Sequence, residues 1–411
     1  MKSPLTSPET HESRHEQLKV TSVSCADFRV YSRFALEDIG DLTIFVGPNA
    51  VGKTSVLEAI QLITGLESFR TSHVSQTVRW GAASARISAL FESERRSLDM
   101  RLDIASGQRR YSLNGKGKSA RALSGLLPAV VFSPDDLQMA KGAPSLRRKQ
   151  IDSLGAQVSK NYYAVRSDYV KLVKQKNQAL KAEMPDSFID SIDEVLTRVG
   201  VQVLQHRLYL VDRIQPFFEG YYRSIAGGSE RACLVYLPCW MRRRDRAERC
   251  RYEFDRQEAL SELAQAISSH RTAERAQHRA LIGPHADEVT FLVEGHDASQ
   301  FASQGQQRSL VLAYKLAESA VIRELLGQKP VLLLDDVMSE LDERRRRRFM
   351  EFISEGMQTF ITTTNLSYFS FEMTDRARVV DLARLREREV DVSRETFSMR
   401  SAEGGFHDEA R

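Results

Sequence analysis

The sequence predicts an α/β fold in which a phosphate-binding unit is interrupted by a mostly helical insertion. Three observations lead to this prediction. The apolar run Leu42–Val46 leads into the glycine loop GPNAVGKTS at residues 47–55, and a segment with helical spacing of apolar residues follows. A second continuous apolar run, at residues 331–334, suits a strand covered on both faces of a parallel sheet. Between the two, from about residue 145 to 275, glycine is sparse and charge is dense.

The glycine loop has the pattern G-x-x-x-x-G-K-[ST], which binds phosphate when a strand precedes it and a helix follows. Gly47 and Gly52 let the backbone bend until consecutive N–H groups form an anion nest, and the helix adds its positive N-terminal end. We expect Lys53 to reach the β and γ phosphates of a nucleoside triphosphate and Thr54 to ligate Mg²⁺. The predicted nucleotide-binding residues are Gly47, Pro48, Asn49, Ala50, Val51, Gly52, Lys53, Thr54 and Ser55.

Two aspartates follow the apolar run at residues 331–334. At the carboxyl end of a central strand, Asp335 is placed to hold Mg²⁺ directly or through water. Asp336 is placed to orient and deprotonate a water in line with the γ phosphate, a contribution of about 10²–10⁴-fold. We therefore predict catalytic roles for Asp336 and Lys53, and metal ligation by Thr54 and Asp335. The alternative is a pair of ordinary loop aspartates.

The segment SQGQQRS at residues 303–309 predicts a second anion site at the start of a helix. Ser303 offers a hydroxyl, Gly305 offers conformational freedom, and the helix start offers N–H groups. One nucleotide cannot easily use two helix N-termini of the same subunit on its γ phosphate. We therefore expect Ser303 of one subunit to complete the site that Lys53 builds in another. An ordinary serine N-cap is the alternative.

Composition limits the class of protein. The chain has 59 Lys and Arg against 55 Asp and Glu, so its net charge of +4 does not by itself indicate nucleic acid. Its cysteines, Cys25, Cys233, Cys239 and Cys250, include no C-x-x-C pair, which favours reduced thiols in the cytoplasm over a zinc site. No apolar run reaches about 18 residues, so we expect no membrane span and a cytoplasmic location.

Local clusters of arginine carry the prediction of DNA binding. They lie at residues 147–149, 242–244 and 344–348, and a solvated helix face is the alternative meaning of each. Because no aromatic residues interleave with them, we expect backbone contacts with little sequence specificity. The candidate DNA contacts are Arg147, Arg148, Arg242, Arg243, Arg244, Arg344 and Arg345.

The motifs together resemble a known family. The glycine loop, SQGQQR at 303–308, VLLLDD at 331–336 and SELD at 339–342 resemble the ABC-type ATPases of the SMC class. Within that class, the stretches VVFSPDDLQMAKGAPSLRRKQID at 130–152 and LIGPHADEV at 281–289 resemble the RecF family specifically. The resemblance covers about residues 20–390, which is nearly the whole chain.

The resemblance implies an ABC-type ATPase head, a P-loop NTPase with a mixed sheet, interrupted by a helical arm. It implies ATP and Mg²⁺ as cofactors, weak DNA-stimulated hydrolysis, and a homodimer that forms on ATP binding. It implies binding to gapped DNA and single-strand/double-strand junctions, with RecR and RecO as partners and RecA loading as the outcome, in repair, recombination, replication and the SOS response. In these motifs Ser303, Gly305 and Gln306 form the signature that caps the partner's ATP, and Asp342 forms the D-loop of the dimer interface.

The predicted organisation has five segments. A disordered tail at 1–18 precedes the first half of the ATPase head at 19–144, which carries the glycine loop. The helical arm at 145–278 follows, then the second half of the head at 279–391 and a loose tail at 392–411. In the arm an apolar stripe, formed by Val201, Leu204, Leu208 and Val211, predicts an amphipathic helix.

The sequence also departs from the family pattern. Ala286 stands where an arginine is usual, Gln150 where an aromatic residue is usual, and Thr364 or Asn365 where many ABC enzymes have a histidine. Three other classes were weighed. A transporter's cassette ATPase would lack the two RecF-like stretches, and an SMC-like nuclease would need a further acidic domain after residue 336. A scaffold that uses ATP only as glue stays open until turnover is measured.

Overall fold

A computed structural model describes residues 17–228, 230–240, 254–353 and 356–385. The predicted C-terminal tail, most of the predicted N-terminal tail and Arg242, Arg243 and Arg244 lie outside them. The strands in the described residues are β1 (Lys19–Phe28), β2 (Tyr31–Leu36), β3 (Leu42–Val46), β4 (Ser84–Glu92), β5 (Ser97–Ala105), β6 (Gln108–Leu113), β7 (Lys116–Lys118), β8 (Ala129–Phe132), β9 (Ala232–Leu237), β10 (Glu288–Val293), β11 (His296–Asp297), β12 (Val331–Asp335), β13 (Thr359–Thr363) and β14 (Arg378–Asp381).

The helices in the same residues are α1 (Lys53–Thr64), α2 (Ala120–Leu123), α3 (Gln138–Lys141), α4 (Pro144–Val158), α5 (Lys160–Lys181), α6 (Asp186–Ala226), α7 (Arg256–Gln277), α8 (Ala298–Phe301), α9 (Gln304–Leu326), α10 (Glu343–Ile353) and α11 (Phe371–Arg376). None of these described helices is both long and apolar enough to cross a bilayer.

A parallel sheet of five strands, in the order β14-β3-β13-β12-β8, forms the centre of the fold. Its strands are continuous apolar runs because both faces are covered. Leu332 and Leu334 point into the core shared with α9 and the arm, whereas Leu333 points into the core shared with α1. The predicted α/β fold is therefore confirmed. Because all five strands run in the same direction, the loops that follow β3, β12 and β13 meet at one edge.

A separate antiparallel sheet of six strands, in the order β2-β1-β4-β5-β6-β7, covers α1. Apolar and polar residues alternate along β4 and β5: Ile87 and Leu102 are buried opposite each other, whereas Arg101, between the buried Met100 and Leu102, is exposed. This sheet therefore has one apolar face, which packs on the helix that follows the glycine loop.

The helical arm shares its core with the second half of the head. The predicted apolar stripe of Val201, Leu204, Leu208 and Val211 is buried in α6, which is 41 residues long. α6 packs along α9, and β9 pairs antiparallel with β10, although β9 falls in the segment predicted as arm. One hydrophobic core therefore continues from the arm helices into the parallel sheet.

Buried charge joins the arm to the loop at residues 281–289. The Arg207 guanidinium donates to both carboxylate oxygens of Asp152, at 2.8 and 2.9 Å, and to the Pro284 carbonyl at 2.6 Å. In the same loop, burial raises the pKa of Asp287 to about 6. The RecF-like stretch 281–289 thus has a structural role, because its backbone and one carboxyl complete a buried polar network.

We predict that Arg207→Met lowers the free energy of unfolding by about 3–5 kcal/mol, because it leaves Asp152 buried without its bidentate counter-ion. The matched control is Arg213→Met, whose pair with Glu324 is half exposed and contributes about 0–1 kcal/mol. Urea denaturation of both variants checks the difference. Equal losses in the two variants would contradict the structural role of the Asp152–Arg207 pair.

Candidate nucleotide-binding site

The glycine loop joins β3 to α1 and packs against the turn between β1 and β2. Gly52 caps α1 with a φ of 112°, in the left-handed region that favours glycine. A Cβ atom at Gly52 would lie 2.5 Å from the Tyr31 hydroxyl oxygen and 2.9 Å from Val30 Cγ2. The position therefore needs glycine for two reasons, its backbone conformation and the close approach of the turn.

Lys53 is held over the loop by the loop's own carbonyl groups. Its Nζ atom donates to the oxygens of Gly47 and Pro48, at 2.8 and 3.0 Å. Burial lowers the pKa of Lys53, and the charges of Asp336 and Asp335 oppose that shift. The ammonium group thus lies between a phosphate-binding loop and two carboxylates, as its predicted role requires.

Thr54 and Asp335, the two predicted metal ligands, are in direct contact. The Thr54 hydroxyl donates to Asp335 Oδ1 at 2.9 Å, and the Thr362 hydroxyl donates to the same oxygen at 2.8 Å. Thr362 reaches this position because β13 lies between β3 and β12, with Thr362 paired opposite Asp335.

This donor set fits Mg²⁺ in chemistry, because the ion prefers hydroxyl and carboxylate oxygens. In the described part of the chain, no group of three or more His, Cys, Asp and Glu side chains is arranged around a metal position. Thr54 and Asp335 would therefore share Mg²⁺ with phosphate and water oxygens, as in sites that lack an all-protein cage.

Asp336 adopts a conformation that is rare for a residue other than glycine. Its φ is 51° and its backbone N–H donates to the Thr362 hydroxyl at 2.9 Å. Its Oδ1 atom is buried and has no hydrogen-bond partner within the described residues. Burial raises the pKa of this carboxyl, while the Lys53 charge opposes the rise. A strained backbone and a free buried acceptor are typical of a group that meets a ligand or a water.

The signature residues lie at the exposed start of α9. The Gln306 backbone N–H donates to Ser303 Oγ at 3.2 Å, and the Gln306 side chain accepts from the Ser303 N–H at 2.8 Å. Within one subunit Ser303 is therefore an N-cap in a capping box, and its role toward a second subunit stays a prediction. Gln306 also donates to Glu230 at 3.0 Å, and Glu230 accepts from Tyr222 at the end of α6.

Arg345 connects the signature to the predicted D-loop. Asp342 accepts from the Arg345 backbone N–H at 2.9 Å and from its guanidinium, whose Nε atom donates to Ser309 at 3.0 Å. A Cβ atom at Gly305 would lie 2.8 Å from Nη2 of Arg345. A larger residue at position 305 would therefore displace the guanidinium from the start of α9.

The structure corrects the prediction of DNA contact for Arg147. This side chain is 5% exposed and donates to the carbonyls of Val289, Met139 and Gly142. Arg148 is half-buried and donates to the Asp287 carbonyl. Burial lowers the pKa of both guanidinium groups. Arg147 ties α4 to β10 and to the end of α3, and Arg148 ties α4 to the residue before β10, so both charges are used in packing between elements.

Two groups at the site escaped the sequence analysis. No motif marks Thr362, and the strand order is what brings it to Asp335. Arg70 pairs with the buried Glu58 at 3.3 Å, and its charge opposes the rise that burial causes in the pKa of Asp335. No motif marks Arg70, because its position depends on how the chain turns after α1.

The chain is similar to known proteins over most of its length. Residues 19–384 match the family described as the RecF/RecN/SMC N terminal domain. The DNA replication and repair protein RecF of Moorella thermoacetica is 33% identical over 374 residues, which is 90% of this chain and 96% of that relative. RecF of Synechocystis sp. is 36% identical over 380 residues, covering 88% of this chain and 96% of that relative.

Solved structures give the same result. A structure described as the recombination mediator protein RecF-ATPrS in the RecFOR pathway matches with a TM-score of 0.78 and 27% identity, covering 89% of this chain and 99% of that one. A RecF-ATP structure matches with a TM-score of 0.76 and 27% identity, covering 86% of this chain and 95% of that one. Fold and site thus define an ATPase head of the SMC class. Within that class, the chain belongs to the RecF family.

We predict that acidification abolishes the Mg²⁺-dependent binding of an ATP analogue. The loss should occur at a higher pH than the pH at which an exposed aspartate becomes protonated. Burial raises the pKa of Asp335 and Asp336. Each carboxyl is ionised above its folded pKa and is lost as a metal-binding or charge-stabilising group when the pH falls through that pKa. The measurement is the affinity for the ATP analogue, with and without Mg²⁺, at a series of pH values between about pH 8 and about pH 5.

Asp335→Asn is the control for this titration, because the nucleotide's own protonation is the same in both proteins. In this variant, Mg²⁺ should give no increase in the affinity for the ATP analogue at any pH. The prediction would be contradicted if, in the wild type, the increase in affinity that Mg²⁺ gives stayed constant until the pH reached the ordinary pKa of an aspartate.

Proposed function

We propose that the protein is a weak, DNA-stimulated ATPase of DNA replication and recombinational repair that dimerises on ATP and binds DNA with little sequence specificity. It acts in the cytoplasm on gapped DNA and on single-strand/double-strand junctions, with RecR and RecO as partners in loading RecA. One observation carries the proposal: Lys53, Thr54, Asp335 and Asp336 lie together at the sheet edge, whereas the signature at Ser303 faces solvent at the start of α9. The names of the relatives support the biological setting.

The groups of this chain have separate tasks in hydrolysis. The glycine loop and Lys53 bind the β and γ phosphates, and Thr54 and Asp335 would hold Mg²⁺, whose charge neutralises those phosphates when it is bound. Asp336, with its raised pKa and free buried oxygen, accepts a proton from the attacking water. Thr362 keeps both aspartates in place, because its hydroxyl donates to Asp335 and accepts from the Asp336 N–H.

Turnover separates this ATPase from a scaffold that uses ATP only as glue. We predict that Asp336→Asn keeps ATP binding and loses about 10²–10⁴-fold in turnover with DNA present. Glu343→Gln, an exposed carboxyl on α10, is the control and should turn over at the wild-type rate. Phosphate release and nucleotide binding measure the two quantities. ATP binding without any hydrolysis in the wild type would favour the scaffold.

Dimerisation is tested by the solution mass from light scattering, with and without ATP. We predict that ATP doubles the mass of the wild type and has no such effect on Lys53→Met, which weakens phosphate binding, or on Ser303→Arg, which blocks the signature. Ser303→Arg should still bind ATP, since Ser303 lies outside its own subunit's loop. Ser191→Arg, on the exposed face of α6, is the control and should dimerise. A wild-type mass that stays unchanged with ATP bound would refute the shared site.

A further inference from the structure

We propose that an open cationic groove along β7 binds the phosphate backbone of DNA. The groove has a volume of about 700 Å³ and lies at the free edge of the antiparallel sheet. The proposal rests on the proposed function for the choice of DNA as ligand, and on the charges of the groove for the site. Its lining includes Arg109, Arg110, Lys118, Ser119 and Tyr163; we call it the β7 groove.

Strand pairing brings the cations of the β7 groove together. Tyr111 on β6 pairs opposite Lys118 on β7, and Arg109 is two residues before Tyr111, so these three share one face of the sheet and Arg110 lies on the other face. The Arg109 guanidinium donates to the Leu66 carbonyl at 2.7 Å, which fixes its position without neutralising its charge. Tyr163, near the start of α5, forms another part of the lining.

The charges of the β7 groove are not neutralised by the protein. Within the described ranges, the Lys118 side chain has no ion pair or hydrogen bond, and the same holds for Arg110, Lys116 and Arg121 around the groove. All four are exposed. Cations in this condition bind phosphates most readily, because no internal contact has to be broken first.

The arginine run at 344–348 is different. Arg345 pairs with Asp342, Arg347 with Glu343 at 2.9 Å, and Arg348 with Glu351 at 3.2 Å. Most of this run is therefore matched by acids on its own helix or in the preceding turn. In the sequence this run has the denser positive charge, but in the folded chain more of its charge is paired than that of the β7 groove.

A structural explanation of the groove accounts for only part of its charge. Lysines on an edge strand discourage pairing with another sheet, and this explains the presence of Lys116 and Lys118. Edge protection does not explain Arg109 and Arg110, because β6 is an inner strand that pairs with both β5 and β7. A concave site with cations from an edge strand and an inner strand fits a polyanion that lies along the sheet edge.

The test is DNA binding by the double variant Arg109→Ala/Lys118→Ala, measured by fluorescence anisotropy on a labelled gapped duplex over a series of salt concentrations with ATP present. Each phosphate contact contributes about −0.9 to the slope of log affinity against log salt on duplex DNA. Loss of two contacts should make the slope shallower by about 1.8 and weaken binding at low salt. ATP affinity should stay at the wild-type value, because Arg109 contacts Leu66 and neither side chain contacts the glycine loop or the two aspartates.

The control is Arg347→Ala/Arg348→Ala, which removes the same net charge from an ion-paired face. It should keep the wild-type slope. A wild-type slope in the groove variant, or an equal loss in both double variants, would overturn the β7 groove while DNA binding itself stands. A wild type that binds no DNA at low salt would overturn both the groove and the DNA-binding part of the proposed function.

Discussion

Parallel pairing of β13 with both β3 and β12 brings the groups of the candidate site together. The glycine loop follows β3, and the two aspartates lie at the end of β12. These two strands are not paired with each other, because β13 lies between them. Thr362, on the strand between them, donates to Asp335 and accepts from the Asp336 backbone. A slip of one residue in this register would turn the Thr362 side chain to the other face and separate the hydroxyl from both aspartates.

The signature loop lies between two parts of the molecule that have different tasks. On one side Gln306 donates to Glu230, which also accepts from Tyr222 at the end of the long arm helix. On the other side Arg345 lies across Gly305 and holds Asp342. A movement of the arm or of the D-loop therefore changes the surroundings of the same short loop. This arrangement gives a physical route between the arm and the start of α9, through hydrogen bonds that each span about 3 Å.

Much of the fold could be predicted because its signals are local. The continuous apolar runs at residues 42–46 and 331–334 are parallel strands, and the glycine loop lies between a strand and a helix as its pattern requires. Thr362 and Arg70 could not be predicted, because their relation to Asp335 arises from strand order and from the path of the chain after α1. Gln150, which stands where an aromatic residue is usual, accepts from the buried Lys315 at 2.8 Å and donates to Asp136 at 3.1 Å.

Charge clusters show the limit of reading a sequence for binding surfaces. Arg147 stands in a basic run, yet its guanidinium satisfies three carbonyls in the interior. In α10, Glu343 and Glu351 are spaced to pair with Arg347 and Arg348 along one helix face, a neutralisation that helical spacing alone could have indicated. The short segment KGK of β7 carries two lysines, and pairing with β6 brings Arg109 to the face of Lys118. The number of free cations that a surface offers to a phosphate backbone therefore depends on pairing between elements, and a count along the chain misses it.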